Sequence, residues 1–273
     1  MFGEQLADYF SFEPRLSIIY KAGKSLSIKM GAMRNTQSVF AMSKSIQGMP
    51  AYTWLPATAN LKPQSSWQTS AGLNWQKGKF NIDAEAYYKW MENIAGNYLY
   101  PSNLYQSSQW YDIIEQGTGR AYGFDVLSRY VSGQLQANFK YSLSKSEHSF
   151  STLLNGQWIP ADYDIRHDFS LTGIWTVQEN EQKKRWFSGN FALHSGSPIS
   201  LPTQSIKSGM PVFNEENYEF DFSYLDYYNQ PNNARTKLYH RLDFGFHMQR
   251  KQTKGFRTWS LGVINVYNRK IHT

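Results

Sequence analysis

The sequence has no cysteine, few charged residues and no long apolar run, and each shortage removes a class of protein. Zero cysteine among 273 residues excludes a disulfide scaffold, a thiolate metal site and a cysteine nucleophile. No segment approaches the roughly 18 to 20 consecutive apolar residues that a membrane helix needs. Charged residues make up only 18% of the chain and aromatic residues make up 16%. A chain with so many rings is not expected to be disordered.

The net charge of +7 does not indicate a nucleic-acid partner. Lys and Arg are spread singly, and the densest cluster, Lys183, Lys184 and Arg185, lies in a polar stretch that is predicted to turn. A nucleic-acid groove would concentrate its cations in a stripe. The pattern favours a solvated surface over a phosphate-binding patch, and we expect no nucleic acid to bind.

Apolar and polar residues alternate along much of the chain, which is typical of β-strands with one apolar and one wet face. The clearest segment runs from Phe80 to Trp90, and the pattern recurs at 134–144, 165–177 and 238–248. Weaker copies lie at 16–20, 26–33, 67–75, 122–130, 187–193 and 259–267. We count about ten strands of roughly eight to fifteen residues, longer than strands of soluble proteins.

The connections between these strands alternate between short and long. Short polar turns are predicted at 23–24, 77–78, 132–133, 180–184 and 253–255, and long connections at 40–64, 92–117, 147–163 and 196–236. An antiparallel meander would place all short turns on one rim and all long loops on the other. Outer-membrane barrels have this asymmetry.

The two faces of the predicted strands differ as a barrel wall requires. Aromatic residues of the apolar face gather near the short turns, where they would form an interfacial girdle: Tyr20, Trp75, Phe80, Tyr130 and Trp175. The other face is expected to line a lumen with charged residues: Asp83, Glu85, Lys89, Asp125, Arg129, Arg166, Asp168, Arg241 and Asp243. So many charges suit a wide, wet or plugged lumen, so the chain looks like part of a larger wall.

Six segments carry a family resemblance by their order and spacing. They lie at 12–17, 54–64, 119–123, 163–167, 239–243 and 265–270. Together they resemble the C-terminal half of the barrel in TonB-dependent outer-membrane receptors. The resemblance implies a large barrel with a plugged lumen, of the 22-stranded kind, that imports scarce ligands with energy from the inner membrane.

The resemblance also implies parts that this sequence does not contain. No signal peptide, TonB-contacting segment or α/β plug precedes Phe12, and residues 270–273 do not close on an aromatic strand end. Residues 1–273 are therefore expected to be one partial barrel domain, truncated at both ends and unable to transport alone. The implied partners are outer-membrane lipid, the plug and the N-terminal barrel strands, the TonB complex and an unknown small ligand. The implied location is the outer membrane of a Gram-negative-type bacterium.

Signatures of catalysis are absent from the sequence. It contains no nucleophile elbow, no Walker loop and no His-Glu-x-x-His pair. Its six histidines are scattered, and Asp83 and Glu85 are better interpreted as lumen carboxylates than as a catalytic pair. We expect no enzyme activity, no catalytic residue, no metal and no cofactor.

Two aromatic-rich loops are the candidates for ligand binding. The candidate ligand-binding residues in these loops are Tyr105, Trp110, Tyr111, Tyr224, Tyr227 and Tyr228. Their rings would stack on a sugar or clamp a cationic or apolar ligand at an external mouth. The alternative is that the rings only pack the long loops together. Siderophore, glycan, peptide and vitamin remain open as ligands.

The leading hypothesis is therefore an all-β antiparallel fragment of a receptor barrel that imports a ligand. A passive outer-membrane channel or barrel adhesin without a plug shares the alternation. A secreted β-sandwich that binds glycan is a third hypothesis, in which a second sheet would cover the apolar face.

Overall fold

The alternating segments form one long antiparallel sheet. The structure is a computed structural model that describes residues 7–46, 49–96, 114–214 and 219–270, with side chains described outside 42–53 and 208–225. Ten strands follow one another in the sheet: β1 (Arg15–Lys21), β2 (Leu26–Gln37), β5 (Gln64–Lys77), β6 (Phe80–Gly96), β7 (Glu115–Ser132), β8 (Leu135–Ser149), β10 (His167–Glu179), β11 (Lys183–His194), β16 (Tyr239–Gln252) and β17 (Gly255–Val263). The predicted meander of about ten strands is confirmed. The sheet is open, with β1 and β17 at its edges.

Short and long connections alternate as the sequence predicts. The short turns join β1 to β2, β5 to β6, β7 to β8, β10 to β11 and β16 to β17. The strands run further toward the long loops than the alternation indicated, because β6 continues to Gly96 past a bulge near Asn93 and β7 begins at Glu115. All long loops therefore leave the same rim, here called the long-loop rim, and the opposite edge is the short-turn rim.

The long loops contain small ladders of their own that the sequence did not predict. They are β3 (Val39–Ile46) with β4 (Met49–Pro56), β9 (Ile159–Pro160) added to β8, β12 (Pro198–Ile199) with β15 (Ala234–Arg235), and β13 (Gln204–Asn214) with β14 (Glu219–Tyr227). The sequences of β3 and β13 do not alternate strictly. The sequence of β14 alternates from Glu219 to Tyr224, but it lies in a segment that the sequence pattern assigned to a long loop.

One face of the sheet is apolar and uncovered in the described residues. On β6, Phe80 and Tyr88 are exposed on this face, whereas the intervening polar residues of the other face are half-buried. Aromatic rings contact one another across strands on the apolar face, as Phe80 does with Tyr130 at 4.8 Å and Phe139 with Phe169 at 5.3 Å between ring centroids. Among the residues that the structure describes, no second sheet packs against this face, which removes the structural basis of the β-sandwich alternative.

The buried core of the described residues is small and lies at the long-loop rim. One cluster comprises Phe40, Leu55, Leu61 and Ile114, and the other comprises Met91, Ile94 and Phe150. Both clusters join loop residues to strand ends. Among the described residues, no helix is long and apolar enough to span a membrane.

Candidate functional site

The polar face of the sheet brings the predicted charged residues together. Pairing places Glu85 of β6 directly opposite Asp125 of β7, with Ser142 and Asp168 next in the same cross-strand row. By the same registers, Asp83, Lys89, Arg129, Arg241 and Asp243 lie on this face. Arg166 lies just before β10 and its guanidinium is 3.6 Å from Asp164.

Ion pairs neutralise part of the polar face. Lys29 pairs with Asp83, which also accepts a hydrogen bond of 3.1 Å from the Asn74 amide. Lys140 pairs with Asp168 at 3.5 Å. Such partly exposed pairs contribute little stability each and chiefly fix side-chain positions.

Arg241 and Asp243 form a further pair on the same face, with 3.0 Å between guanidinium and carboxylate. Asp243 also accepts a hydrogen bond of 2.9 Å from the backbone N–H of Asn265. This bond ties the segment after β17 to the polar face.

Glu85 and Asp125 differ from the other carboxylates of this face. They are directly opposite each other, and neither forms an ion pair within the described residues. Like charges in directly opposite positions destabilise a sheet. The polar face therefore carries a surplus of negative charge at this point.

At the long-loop rim, Asp164 joins two loops. Its carboxylate is 1% exposed, accepts a hydrogen bond of 2.7 Å from the backbone N–H of Ser146 and pairs with Arg235 of the loop 195–238. Arg235 also donates to the carbonyl oxygens of Asp164 at 2.9 Å and Gly196 at 3.2 Å. A buried carboxylate needs this many donors, because desolvation disfavours its charged form.

A second contact between the same loops lies beside the first. The Asn232 amide donates hydrogen bonds to the Pro160 carbonyl at 2.9 Å and to the Asp162 carboxylate at 2.7 Å. Backbone pairing of β12 with β15 closes the base of the loop 195–238, and the ladder of β13 and β14 lies beyond that base. The base of this loop is therefore fixed to the loop 150–166.

Glu115 holds the start of the loop 150–166. Its carboxylate accepts hydrogen bonds from the Ser151 hydroxyl at 3.0 Å, the Thr152 N–H at 2.9 Å and the Thr152 hydroxyl. Burial raises the pKa of Glu115, but the hydrogen bonds from Thr152 and Ser151 together lower the pKa below its ordinary value. At neutral pH this carboxylate is ionised and the loop start is held.

Only part of the predicted ligand-binding set lies in the described structure. Tyr105, Trp110 and Tyr111 lie outside the described residues, as does the side chain of Tyr224. Tyr227 and Tyr228, at the end of β14, are 56% and 48% exposed. Thr203 donates two hydrogen bonds to the Tyr227 carbonyl oxygen, which fixes the backbone while the ring stays accessible.

Residues 4–268 match the sequence family described as TonB dependent receptor-like, beta-barrel. The chain belongs to the TonB-dependent receptor family. The family and its structures are outer-membrane transport receptors and not enzymes. No curated protein sequence matches the chain.

Three solved structures of TonB-dependent receptors and transporters share the fold. The ferripyoverdine receptor of the outer membrane of Pseudomonas aeruginosa has 14% identity and a TM-score of 0.59, covering 96% of this chain and 30% of its own. The FrpB iron transporter from Neisseria meningitidis has 13% identity and a TM-score of 0.55, covering 94% and 35%. The ferric-catecholate import receptor Fiu from Escherichia coli K12 has 13% identity and a TM-score of 0.52, covering 93% and 30%. This chain thus spans about a third of each receptor.

The structure of this TonB-dependent receptor wall shows two groups of residues that the sequence pattern did not single out. A second aromatic row lies on the apolar face near the long-loop rim and contains Trp67, Tyr88, Trp90 and Tyr122. Trp67 is 49% exposed. These four residues occupy apolar-face positions of the alternating pattern, so the pattern itself would have revealed the row. The role of Asn232 and Arg235 had no signal in the sequence, because their partners lie some seventy residues earlier in the chain.

The histidine and carboxylate side chains of the described residues do not gather into one cluster. Within the residues that the structure describes, no three His, Cys, Asp or Glu side chains come together to hold a metal ion. The histidines of the described residues form separate contacts, such as that of His148 Nε2 with the Tyr163 hydroxyl at 3.2 Å. Burial lowers the pKa of His148. This histidine is therefore neutral at neutral pH, as its contacts with Phe150 and Tyr163 suggest.

Proposed function

We propose that this chain forms part of the wall of a larger TonB-dependent receptor, which binds a scarce ligand at the long-loop rim and imports it through the lumen. The observation that carries the proposal is the ten-strand meander, with one uncovered apolar face, one charged face and all long loops on one rim. A sheet that faces hydrocarbon must close into a barrel, because unpaired backbone groups cost several kcal/mol each in lipid. The proposed location is the outer membrane of a Gram-negative-type bacterium.

The spacing of the aromatic residues supports the membrane orientation. Phe80 lies near the short-turn rim and Trp90 near the long-loop rim of the same apolar face. About ten residues at ~3.3 Å each span roughly 33 Å along the strand. A strand tilt of about 40° projects this length to ~25 Å, the height of the apolar band of outer-membrane barrels. The short-turn rim would then face the periplasm and the long-loop rim the exterior.

The long-loop rim is proposed as the ligand-binding surface. The contacts of Asp164 and Asn232 fix the base of the loop 195–238, which presents the exposed rings of Tyr227 and Tyr228. A fixed base lowers the entropy that ligand binding must overcome. Tyr105, Trp110, Tyr111 and Tyr224 are proposed to complete this aromatic surface. Ferric siderophores are the first ligands to test, because the three similar structures are of iron receptors or transporters.

The charged face is proposed as the lumen surface that holds a plug. Glu85 and Asp125 are two adjacent negative charges that form no ion pair within the described residues. A basic side chain of a plug would neutralise them. Energy coupling would then pass from the TonB complex to the plug, both of which are partners outside this chain.

Membrane extraction and uptake test the proposal in the full-length receptor. We expect the receptor to stay in the membrane pellet after carbonate and high-salt washes and to need detergent for release. Release by carbonate alone would refute the lipid-facing assignment. Ligand uptake that persists without TonB would instead support a passive channel.

A further inference from the structure

Four cationic residues meet on the apolar face at the short-turn rim. Strand pairing places Lys183 of β11 opposite Arg250 of β16, and Arg250 opposite Arg257 of β17. Arg185 lies two residues further along β11 on the same face. These four residues are called the cationic row below.

The cationic row has no carboxylate partner within the described residues. The nearby Glu179 forms an ion pair of 2.8 Å with Lys184, which lies on the opposite face of the sheet. Glu181 lies in the turn between β10 and β11 and forms no ion pair with the row. The row therefore holds four positive charges, three of them in directly opposite positions, an arrangement that destabilises a sheet unless an anion compensates it.

One atom of the row is unsatisfied. The Nε atom of Arg185 is buried and has no hydrogen-bond partner among the described residues. Buried donors are nearly always paired, so the Nε atom of Arg185 is expected to meet an acceptor that lies outside the described residues, either water or an anion. Phosphate oxygens suit a guanidinium because they accept two parallel N–H donors.

The surroundings of the row define where its partner lies. Trp259 is 58% exposed on the same face, and the Arg257 guanidinium lies 4.8 Å from the centroid of its ring. Trp175 and Phe187 are in ring contact, with centroids 6.1 Å apart, on the adjacent strands. Aromatic rings next to Lys and Arg are typical of the level of lipid headgroups.

We propose that the cationic row binds the phosphate group of an anionic phospholipid in the membrane leaflet beside the short turns. The row lies on the lipid-facing side, next to the aromatic residues, and its four charges favour a headgroup with net negative charge. This site rests on the proposed function, which gives the apolar face its lipid contact. It differs from the ligand-binding rim at the opposite edge of the wall.

Native mass spectrometry of the full-length receptor in detergent tests the site. Phosphatidylglycerol and phosphatidylethanolamine are titrated against the wild type, an R250Q/R257Q variant and an R250K/R257K variant. The matched control is K24Q/K77Q, which removes two other cations of the same rim: Lys24 lies in the turn between β1 and β2, and Lys77 is the last residue of β5. Each variant is shown to be folded by comparing the gel migration of heated and unheated samples, because a folded barrel migrates differently before heating.

We expect the wild type to bind phosphatidylglycerol more tightly than phosphatidylethanolamine. R250Q/R257Q is expected to weaken phosphatidylglycerol binding about tenfold or more. R250K/R257K is expected to bind less tightly than the wild type but more tightly than R250Q/R257Q, because it keeps the charges and loses the paired guanidinium donors. K24Q/K77Q is expected to bind as the wild type does. Equal affinity of R250Q/R257Q and wild type, or an equal loss in K24Q/K77Q, would overturn the site. Complete displacement by inorganic phosphate would also overturn it, because a site for free anions needs no lipid. These outcomes leave the carbonate extraction unchanged, so failure of the site and failure of the proposed function are distinguishable.

Discussion

Arg235 reaches from the loop 195–238 to the buried carboxylate of Asp164 in the loop 150–166. The two residues join parts of the chain that are seventy-one positions apart. The loops are expected to open together, because Asp164 cannot stay buried without its donors. The rim would then present one surface to a ligand.

Loss of the Arg235 side chain is the first prediction. R235Q leaves the buried Asp164 carboxylate with Arg166, 3.6 Å away, as its remaining cation, so the expected cost is below the roughly 3–5 kcal/mol of a buried charge left without any partner. Hydrogen exchange in segments 160–166 and 195–200 of the full-length receptor is expected to accelerate at least tenfold. K237Q, in the same loop, is the control. Equal exchange in R235Q and K237Q would contradict the joint opening.

Acidification is predicted to release the start of the loop 150–166. The pKa of Glu115 is lowered in the folded state, so its contribution is present above the ordinary pKa and is lost as the pH falls through the lowered value. A nitroxide on Q157C reports the mobility of this loop by EPR. We expect an immobile label at pH 7 and a mobile one once the pH falls below the ordinary glutamate range.

E115Q separates this carboxylate from other titrating groups. The variant keeps a side-chain acceptor but lacks the charge that strengthens the bonds from Ser151 and Thr152. Its label is expected to be mobile already at pH 7. An E115Q label that is immobile at pH 7 and becomes mobile over the same acidic range as the wild type would assign the acid transition to a different group.

The pair of Glu85 and Asp125 is predicted to stabilise the plug. The E85Q/D125N variant removes both negative charges from the wall, so a basic plug residue would lose its partner there. Urea is therefore expected to release the plug at a lower concentration than in the wild type. D226N, which removes a charge from an exposed loop residue, is the control. An unchanged release midpoint would contradict a plug contact at this position.

Gly196 is predicted to tolerate no side chain. A Cβ at this position would overlap the Thr236 carbonyl oxygen, a backbone atom that cannot move without opening the loop base. We expect G196A to lower the free energy of loop opening by about 1–3 kcal/mol, measured as faster proteolysis of the loop 195–238. G189A, whose Cβ would meet nothing within 4 Å, should behave as wild type.

The wall was predictable from the sequence because lipid imposes a strict pattern on it. The segment from Phe80 to Trp90 alternates residue by residue, since each strand residue faces either apolar or polar surroundings. The short polar turns separate the alternating segments, so the order of the strands in the sheet could be predicted from the sequence alone. The strand ends near Gly96 and Glu115 were less predictable, because alternation weakens beyond the apolar band.

The rim and the cationic row were not predictable because they depend on long-range pairing. Asp164 and Arg235 show no shared motif, and their contact appears only once the loops are folded. Lys183 and Arg185 were interpreted as solvated, since the sequence does not show that Arg250 and Arg257 pair beside them. The binding roles of the loop tyrosines stay predictions.

The meander also has a consequence for biogenesis. Every ladder between two of the ten wall strands joins strands that are consecutive in the chain order of the wall. Each new hairpin therefore pairs with an edge strand that is already in place. Such a wall can grow stepwise from one side without a distant segment having to return, and an assembly machine needs to template only one growing edge at a time.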